Sequence, residues 1–406
     1  MDNLPWLETA CLDKAVFEQV RLRTIFDCCK WDPQIGDVSI LADFPLLLKA
    51  EVWQMLAGLA ERLTVEALAA ERELLRKPKL HGKLGLPRAI TRLWKHPPEE
   101  PERSDVRLIR YDFHYTTDGW KISEANADTP GGWIESSGFA ALMAEHYPRM
   151  ALAGSPVKVL AEAIHQAAGD GARVALIHPT SYSDDHQLMV FLGKHLESRG
   201  LKPVLVSPAN IRWQNGQAVL AADWEQGKVD FLMRYFPGEW LPNMPRSSGW
   251  QTFFSGCRTP VCNPGTAMLI QTKRFPLVWD DLQTPLTTWR QLLPETRHPR
   301  DVDFRRLDEW VLKPAFGDEI AMTGVTAAKE MAKIRRSARW FPGGWVAQRR
   351  FEAVAMPTPY GPGYPCIGIY TVNGRAVGAY GRLGKKPLID MYAQDVAVLL
   401  DGSGAN

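Results

Sequence analysis

Cysteine is scarce in this chain, with six thiols in 406 residues, too few for a disulfide scaffold. Cys257 and Cys262 approach a metal-knuckle spacing, but no second pair or histidine follows to complete it. The vicinal Cys28 and Cys29 read as ordinary reduced thiols. Neither sign of charge is in excess: 48 basic against 46 acidic residues leave +2. The balance gives no global attraction to nucleic acid or an anionic membrane. No apolar run reaches spanning length, and the start, MDNLPWLETACLDK, carries acids where a secretory leader needs basic and apolar stretches. A soluble, cytoplasmic protein is expected. Glycine-rich signatures are missing too. There is no Gly-x-Gly-x-x-Gly turn, Walker pattern, G-x-S-x-G elbow or H-E-x-x-H helix, which withdraws the dinucleotide, P-loop, serine-hydrolase and zincin readings. What is present is ordinary globular composition, 45% hydrophobic and 23% charged, at a length that suits two domains or one enzyme with interlocked lobes.

The first hundred residues carry apolar residues at helical spacing in AVFEQVRLRTIFDCC and in LLLKAEVWQMLAGLAERLTVEALAAERELL. Polar KHPPEEPERSD reads as a linker, and a helix is expected within WIESSGFAALMAEHY. From about residue 170 the texture alternates. ARVALIH, KPVLVS and VDFLMRYF are strand-like and DDHQLMVFLGKHLESRG is helical, which predicts a parallel, Rossmann-like layer. The last third has strand-like EWVLKPAF, GWVAQRRF, CIGIYTV and RAVGAYGR, a helix within TAAKEMAKIRRSA, and a strong hairpin signal at Asn373-Gly374. That stretch reads as an α+β module with antiparallel pairing.

The most informative segment is RLIRYDFHYTTDGWKISEAN. Two extended runs flank a polar turn, Thr116-Thr117-Asp118-Gly119, and residues two apart on a strand share a face. Arg110 thus goes with Asp112, and Glu124 with Asn126. A hairpin could gather a guanidinium, two carboxylates and an amide on one side, a hard oxygen set suited to Mg²⁺ with an arginine able to brace phosphate. A solvated hairpin with weak cross-strand pairs is the plain alternative. Lys313 ends a strand-like run before Gly317 and Gly324, which suits either a phosphate grip or, taken alone, a surface lysine at a strand end. Lys273 follows an apolar run, and Arg382 follows the second strand of the Asn373-Gly374 hairpin. His178, Asp184, Asp185 and His186 form a polar loop that needs no metal to explain it.

Together these positions resemble the synthetase module of glutathionylspermidine synthase, a circularly permuted ATP-grasp ligase, over most of the chain. The resemblance rests on Arg110, Asp112, Glu124 and Asn126, on Ala127-Asp128-Thr129-Pro130 and on Tyr235-Phe236-Pro237-Gly238-Glu239-Trp240. It continues through Lys273-Arg274-Phe275-Pro276-Leu277, Lys313-Pro314, Ile367-Gly368, Gly378 and Arg382. It implies that Asp112, Glu124 and Asn126 ligate Mg²⁺ while Arg110 and Arg382 face the transferring phosphoryl group. Lys273, Lys313 and Gly317 would hold ATP phosphates, with Gln348 in the segment beside adenine. Two stretches depart from the family pattern: Gly317-Asp318-Glu319-Ile320 and Ile389-Asp390-Met391-Tyr392-Ala393-Gln394-Asp395.

The expected fold is thus α/β (α+β), a circularly permuted ATP-grasp with a helical N-terminal part and a Rossmann-like pre-ATP-grasp layer. The expected units are residues 1–135, a helical part with the metal-binding hairpin; 136–265, the Rossmann-like layer; and 266–406, the ATP-grasp lobes. The expected activity is ATP- and Mg²⁺-dependent amide formation between a small-molecule or peptide carboxylate and an amine, polyamines included, through an acyl phosphate. No nucleic-acid or membrane partner is expected, and a homodimer is left open. The alternatives are a nucleotide-binding pseudoenzyme and a metal-dependent phosphohydrolase.

Overall fold

The structure is a computed structural model that describes residues 4–36, 38–95, 105–303, 307–317, 321–322 and 326–402. Most of the expected linker, Asp318, Glu319, Ile320, Gly324 and the end of the tail lie outside the described residues. No described helix is long and apolar enough to cross a membrane.

Helix α1 (Lys14–Phe26) starts where the Asp13 side chain accepts the Ala15 amide at 2.8 Å, satisfying one of the unpaired first-turn donors. The second expected helix starts later than its apolar run suggests. Leu46–Leu48 forms strand β1, with all three leucines buried, and helix α2 spans Ala50–Leu75. An apolar triplet buried on every side suits an inner strand better than one face of a helix. β1 pairs in parallel with Val398–Asp401, so early and late segments of the chain meet in one sheet. α2 buries Leu56, Leu59, Ala60, Leu63, Ala67, Ala70 and Leu74, an apolar stripe of helical period.

The hairpin forms as β2 (Leu108–Thr116) and β3 (Gly119–Asn126). Gly119 takes φ +84° at the turn, a left-handed conformation that glycine adopts without penalty. Next to the turn the register pairs Thr116 with Gly119 and Phe113 with Ile122. Beyond it Asp112 pairs with Glu124 and Arg110 with Asn126, so Ser123 is an extra, bulged residue. α2 packs behind this sheet, and its Thr64 hydroxyl lies 3.0 Å from Tyr111 Oη and 2.9 Å from Thr371 Oγ1.

Past the expected helix, seen at Ile134–Phe139 and Ala140–Ala144, comes helix α3 (Pro156–Ala168). The alternating region then gives β4 (Arg173–Ile177), α4 (Ser183–Glu197), β5 (Lys202–Val206), β6 (Phe231–Arg234) and β7 (Val261–Cys262). The strands form a fully parallel sheet in the order β7-β6-β4-β5. Val174, Leu176, Phe231 and Met233 pack into one core, and Ala175, Ile177, Leu232 and Val261 into another. Both faces of the parallel sheet are therefore covered.

The strand pairs expected in the last third form, but in two different sheets. β8 (Trp310–Pro314) and β9 (Trp345–Arg349) pair antiparallel beneath helix α5 (Ala328–Trp340). β10 (Gly361–Val372) and β11 (Arg375–Gly384) turn at Asn373 (φ +48°) and Gly374 (φ +83°). β10 then pairs with β2, and β11 with β12 (Gln394–Val396), giving the order β12-β11-β10-β2-β3. Chain segments far apart in sequence thus share the sheet that carries Arg110, Asp112, Glu124, Asn126 and Arg382.

Candidate active site

A cleft of about 640 Å³ lies among this antiparallel sheet, the carboxyl ends of the parallel strands and the β8/β9 sheet. Arg110, Asp112, Glu124, Asn126, Lys313, Gly317, Gln348 and Arg382 all line it. Lys273 lines an adjoining recess and reaches Glu124 at 3.1 Å. The structure therefore brings together every residue singled out as a candidate ligand.

Sheet geometry explains the gathering. Gly368 on β10 lies between Asp112 and Tyr380 in register. A Cβ at Gly368 would stand 2.7 Å from Arg110 Cδ and 3.0 Å from Asp112 Oδ1, so a bare backbone leaves room for that pair. Arg110 clamps Asp112 with two parallel bonds, Nε to Oδ1 at 2.7 Å and Nη2 to Oδ2 at 2.9 Å. This fork matches a carboxylate well. Its Nη1 donates to the Gly131 carbonyl at 3.0 Å, and its Cζ sits 5.4 Å from the Tyr380 ring centroid. Asn126 Nδ2 also donates to Asp112 Oδ2, at 3.1 Å.

The cationic side is equally ordered. Lys313 is buried at the end of β8 and donates to the Gln348 side chain at 2.8 Å and to the Ser123 carbonyl at 2.9 Å. The bulge residue, outside the regular ladder, supplies that carbonyl. Lys273 donates to the Gly317 carbonyl at 2.9 Å as well as to Glu124. Arg382 Nη2 donates to the Asp390 carbonyl at 2.7 Å, whereas its buried Nε finds no partner among the described residues. A half-buried guanidinium whose Nε is buried and unmet at the cleft wall fits an anionic ligand.

Electrostatics follow the geometry. Burial would raise the Glu124 carboxyl, but Lys273 and Lys313 outweigh it and hold it down at about 2. Burial lowers the Lys313 ammonium to about 8, with Glu124 opposing and Lys273 reinforcing the shift. His114, hydrogen-bonded to Ser123 Oγ at 3.1 Å, is driven down to about 3 by burial and then by Lys313, so it is neutral. Toward the parallel layer the trend reverses. Glu239 is pushed up to about 7 by burial and Asp128, and Asp185 up to about 6 by burial and Asp184. Asp128 itself is fixed by Arg234 and by the Gly238 amide at 2.7 Å.

Several cleft residues were not singled out by sequence. Tyr380 lies two before Arg382 on one strand, so the period-two argument would have placed it on the same face. Its hydroxyl donates to Asp395 at 2.6 Å, and Asp395 together with Glu135 surrounds buried Lys30. Lys30, behind the cleft wall, carried no local signal, because it meets Glu135 and Asp395 through tertiary packing alone. The expected polar loop is shorter than its sequence suggests: Asp184, Asp185 and His186 lie in the first turn of α4, and His178 Nε2 and His186 Nδ1 are 3.0 Å apart. Among the described residues no group of three or more His, Cys, Asp and Glu is arranged to hold a metal. Asp112 and Glu124 with the Asn126 amide are a partial oxygen set, the kind used for Mg²⁺, which completes its shell with water and phosphate.

A family model described as glutathionylspermidine synthase preATP-grasp matches residues 46–401. No curated protein matches the sequence. Among solved structures, a glutathione synthetase-like effector from Globodera pallida in its apo form is 13% identical, with a TM-score of 0.62 over 96% of this chain and 98% of that one. A putative gamma-glutamylcysteine synthetase from Methylobacillus flagellatus KT is also 13% identical, with a TM-score of 0.43 over 82% and 88% of the two chains. The likeness to the first is one of fold.

Proposed function

Because this chain belongs to the glutathionylspermidine synthase preATP-grasp family, we propose that it is an ATP- and Mg²⁺-dependent ligase joining a carboxylate to an amine. The observation that carries the proposal is the convergence of Asp112 and Glu124 with Arg110, Lys273, Lys313 and Arg382 around one cleft. Phosphoryl transfer asks a protein mainly for positioning and charge neutralisation, and this set is equipped for both. Asp112, Glu124 and Asn126 would hold Mg²⁺, whose contribution when bound is to offset charge on the phosphate oxygens.

Lys273, Lys313 and Gly317 would hold the ATP phosphates, with Gln348 near the base. Arg110 and Arg382 would face the transferred group. The acid's carboxylate oxygen attacks the γ-phosphorus and ADP leaves, giving an acyl phosphate. The amine nitrogen then attacks the acyl carbon, inorganic phosphate leaves, and the nitrogen gives up a proton. Glu239, held near neutrality at the cleft, is the carboxyl best matched to take that proton.

The test is ADP release in mixtures of ATP, Mg²⁺, carboxylates and amines. Release that needs both acid and amine supports the ligase. Nucleotide binding with no release would assign a pseudoenzyme, and release that needs only water a phosphohydrolase; either result overturns the proposal.

A further inference from the structure

The charge balance summed over the chain conceals a local imbalance on α5. Its sequence, AKEMAKIRRSARW, holds five basic residues and one acid, Glu330. Lys329, Lys333, Arg336 and Trp340 follow one another at spacings of four, three and four, so they form a single stripe. Ile334 and Ala338, on the opposite side, are buried against Trp310, Leu312, Trp345 and Ala347. The stripe residues are exposed, and Arg339 flanks them. At the same end of the helix Trp340 and the following Phe341 are 71% and 73% exposed. Like charges at these spacings weaken a helix slightly, so the pattern works against the helix that carries it.

We propose that the outer face of α5 docks on an anionic lipid surface. Basic side chains beside exposed tryptophan and phenylalanine form the combination that settles at lipid headgroups, with the cations on anionic lipid and the rings at the interface. Nucleic acid would use the same cations, but single strands are held in grooves whose aromatic rings stack the bases. This stripe stands on the convex outside of a helix. The geometry also leaves the cleft accessible. On β8, Trp310 and Leu312 face α5, whereas Val311 and Lys313 line the cleft on the other side of the sheet. This docking does not depend on the proposed ligase activity.

The experiment is co-sedimentation of the full chain with phosphatidylcholine vesicles, with and without phosphatidylserine. Binding should require phosphatidylserine and weaken as salt is raised. The double substitution Lys333→Glu with Arg336→Glu should cut binding by about tenfold or more. Trp340→Ala with Phe341→Ala should weaken it while keeping the salt dependence. These residues are exposed, so unchanged circular dichroism and melting would show that each variant is folded. Equal binding to both vesicle types, or wild-type binding by the charge-reversed protein, overturns the proposal. So does binding of single-stranded RNA or duplex DNA through these residues without binding to vesicles.

Discussion

Gly368→Ala adds one methyl group at the point where the β10 backbone passes beneath the Arg110–Asp112 pair. The new carbon would lie 2.7 Å from Arg110 Cδ, 3.1 Å from Arg110 Cγ and 3.0 Å from Asp112 Oδ1. Retreat is hard for either partner. Arg110 is fixed at its far end by the Gly131 carbonyl at 3.0 Å and along its fork by Asp112. Overpacking of this kind costs about 1–3 kcal/mol, which should appear as a lower melting temperature with the fold retained. Activity should suffer more than stability. A displacement of about 1 Å at a positioning group can cost roughly a hundredfold in rate, and both halves of the pair would shift together. Gly343→Ala is the control, because a Cβ there meets nothing within 4 Å. The assay pairs thermal melting with ADP release. Wild-type melting and turnover in Gly368→Ala would show that the pair is not held as described.

Asp112→Asn and Glu124→Gln should each abolish Mg²⁺-dependent ADP release while the protein still melts cooperatively; near-normal rates in either would remove the metal assignment. Lys313, depressed to about 8, carries its proton below that value and loses it above. ATP affinity should therefore be full near neutral pH and fall about tenfold one unit above the Lys313 value. Calorimetry across that range should show the decline in the wild type and a weak, flat profile in Lys313→Met; a flat wild-type profile would refute the phosphate role. Lys30→Met strands two buried acids, since the Lys30, Glu135 and Asp395 side chains are 9%, 6% and 5% exposed. Denaturant unfolding should lose roughly 3–5 kcal/mol, and a loss below about 1 kcal/mol would mean that the cluster relaxes or neutralises itself.

Local signals carried much of the fold into view. The parallel layer was legible because ARVALIH, KPVLVS and VDFLMRYF are short apolar runs bounded by turns, a pattern that buried parallel strands impose. Asn373-Gly374 was legible because two successive positive φ values favour those residue types. What was hidden depended on distant partners. Leu46–Leu48 looks like the first turn of α2 until Val398–Asp401 is present to pair with it. Likewise nothing near CIGIYTV announces that its strand will lie beside Arg110 rather than beside β8.

The hairpin face itself was legible for an incomplete reason. Alternation correctly links Arg110 with Asp112, and Glu124 with Asn126, but it does not say that the two pairs share a side. Carried on from the turn, the pairing of Thr116 with Gly119 and Phe113 with Ile122 would set Asp112 opposite Ser123 and Tyr111 opposite Glu124. Tyr111 is fully buried on the other face, so Glu124 would have followed it into the core, as a one-residue slip requires. The bulge at Ser123 absorbs that residue. Ile122 stays in the core with Phe113, while Glu124 crosses to face the cleft beside Asp112. The same bulge presents the Ser123 carbonyl to Lys313 at 2.9 Å, so one irregular residue both assembles the acidic pair and anchors the lysine beside it. A strict two-residue pattern cannot show this, because the placement depends on which side chains the core will accept. Ile122 is taken in, and Glu124 is left to the cations of the cleft.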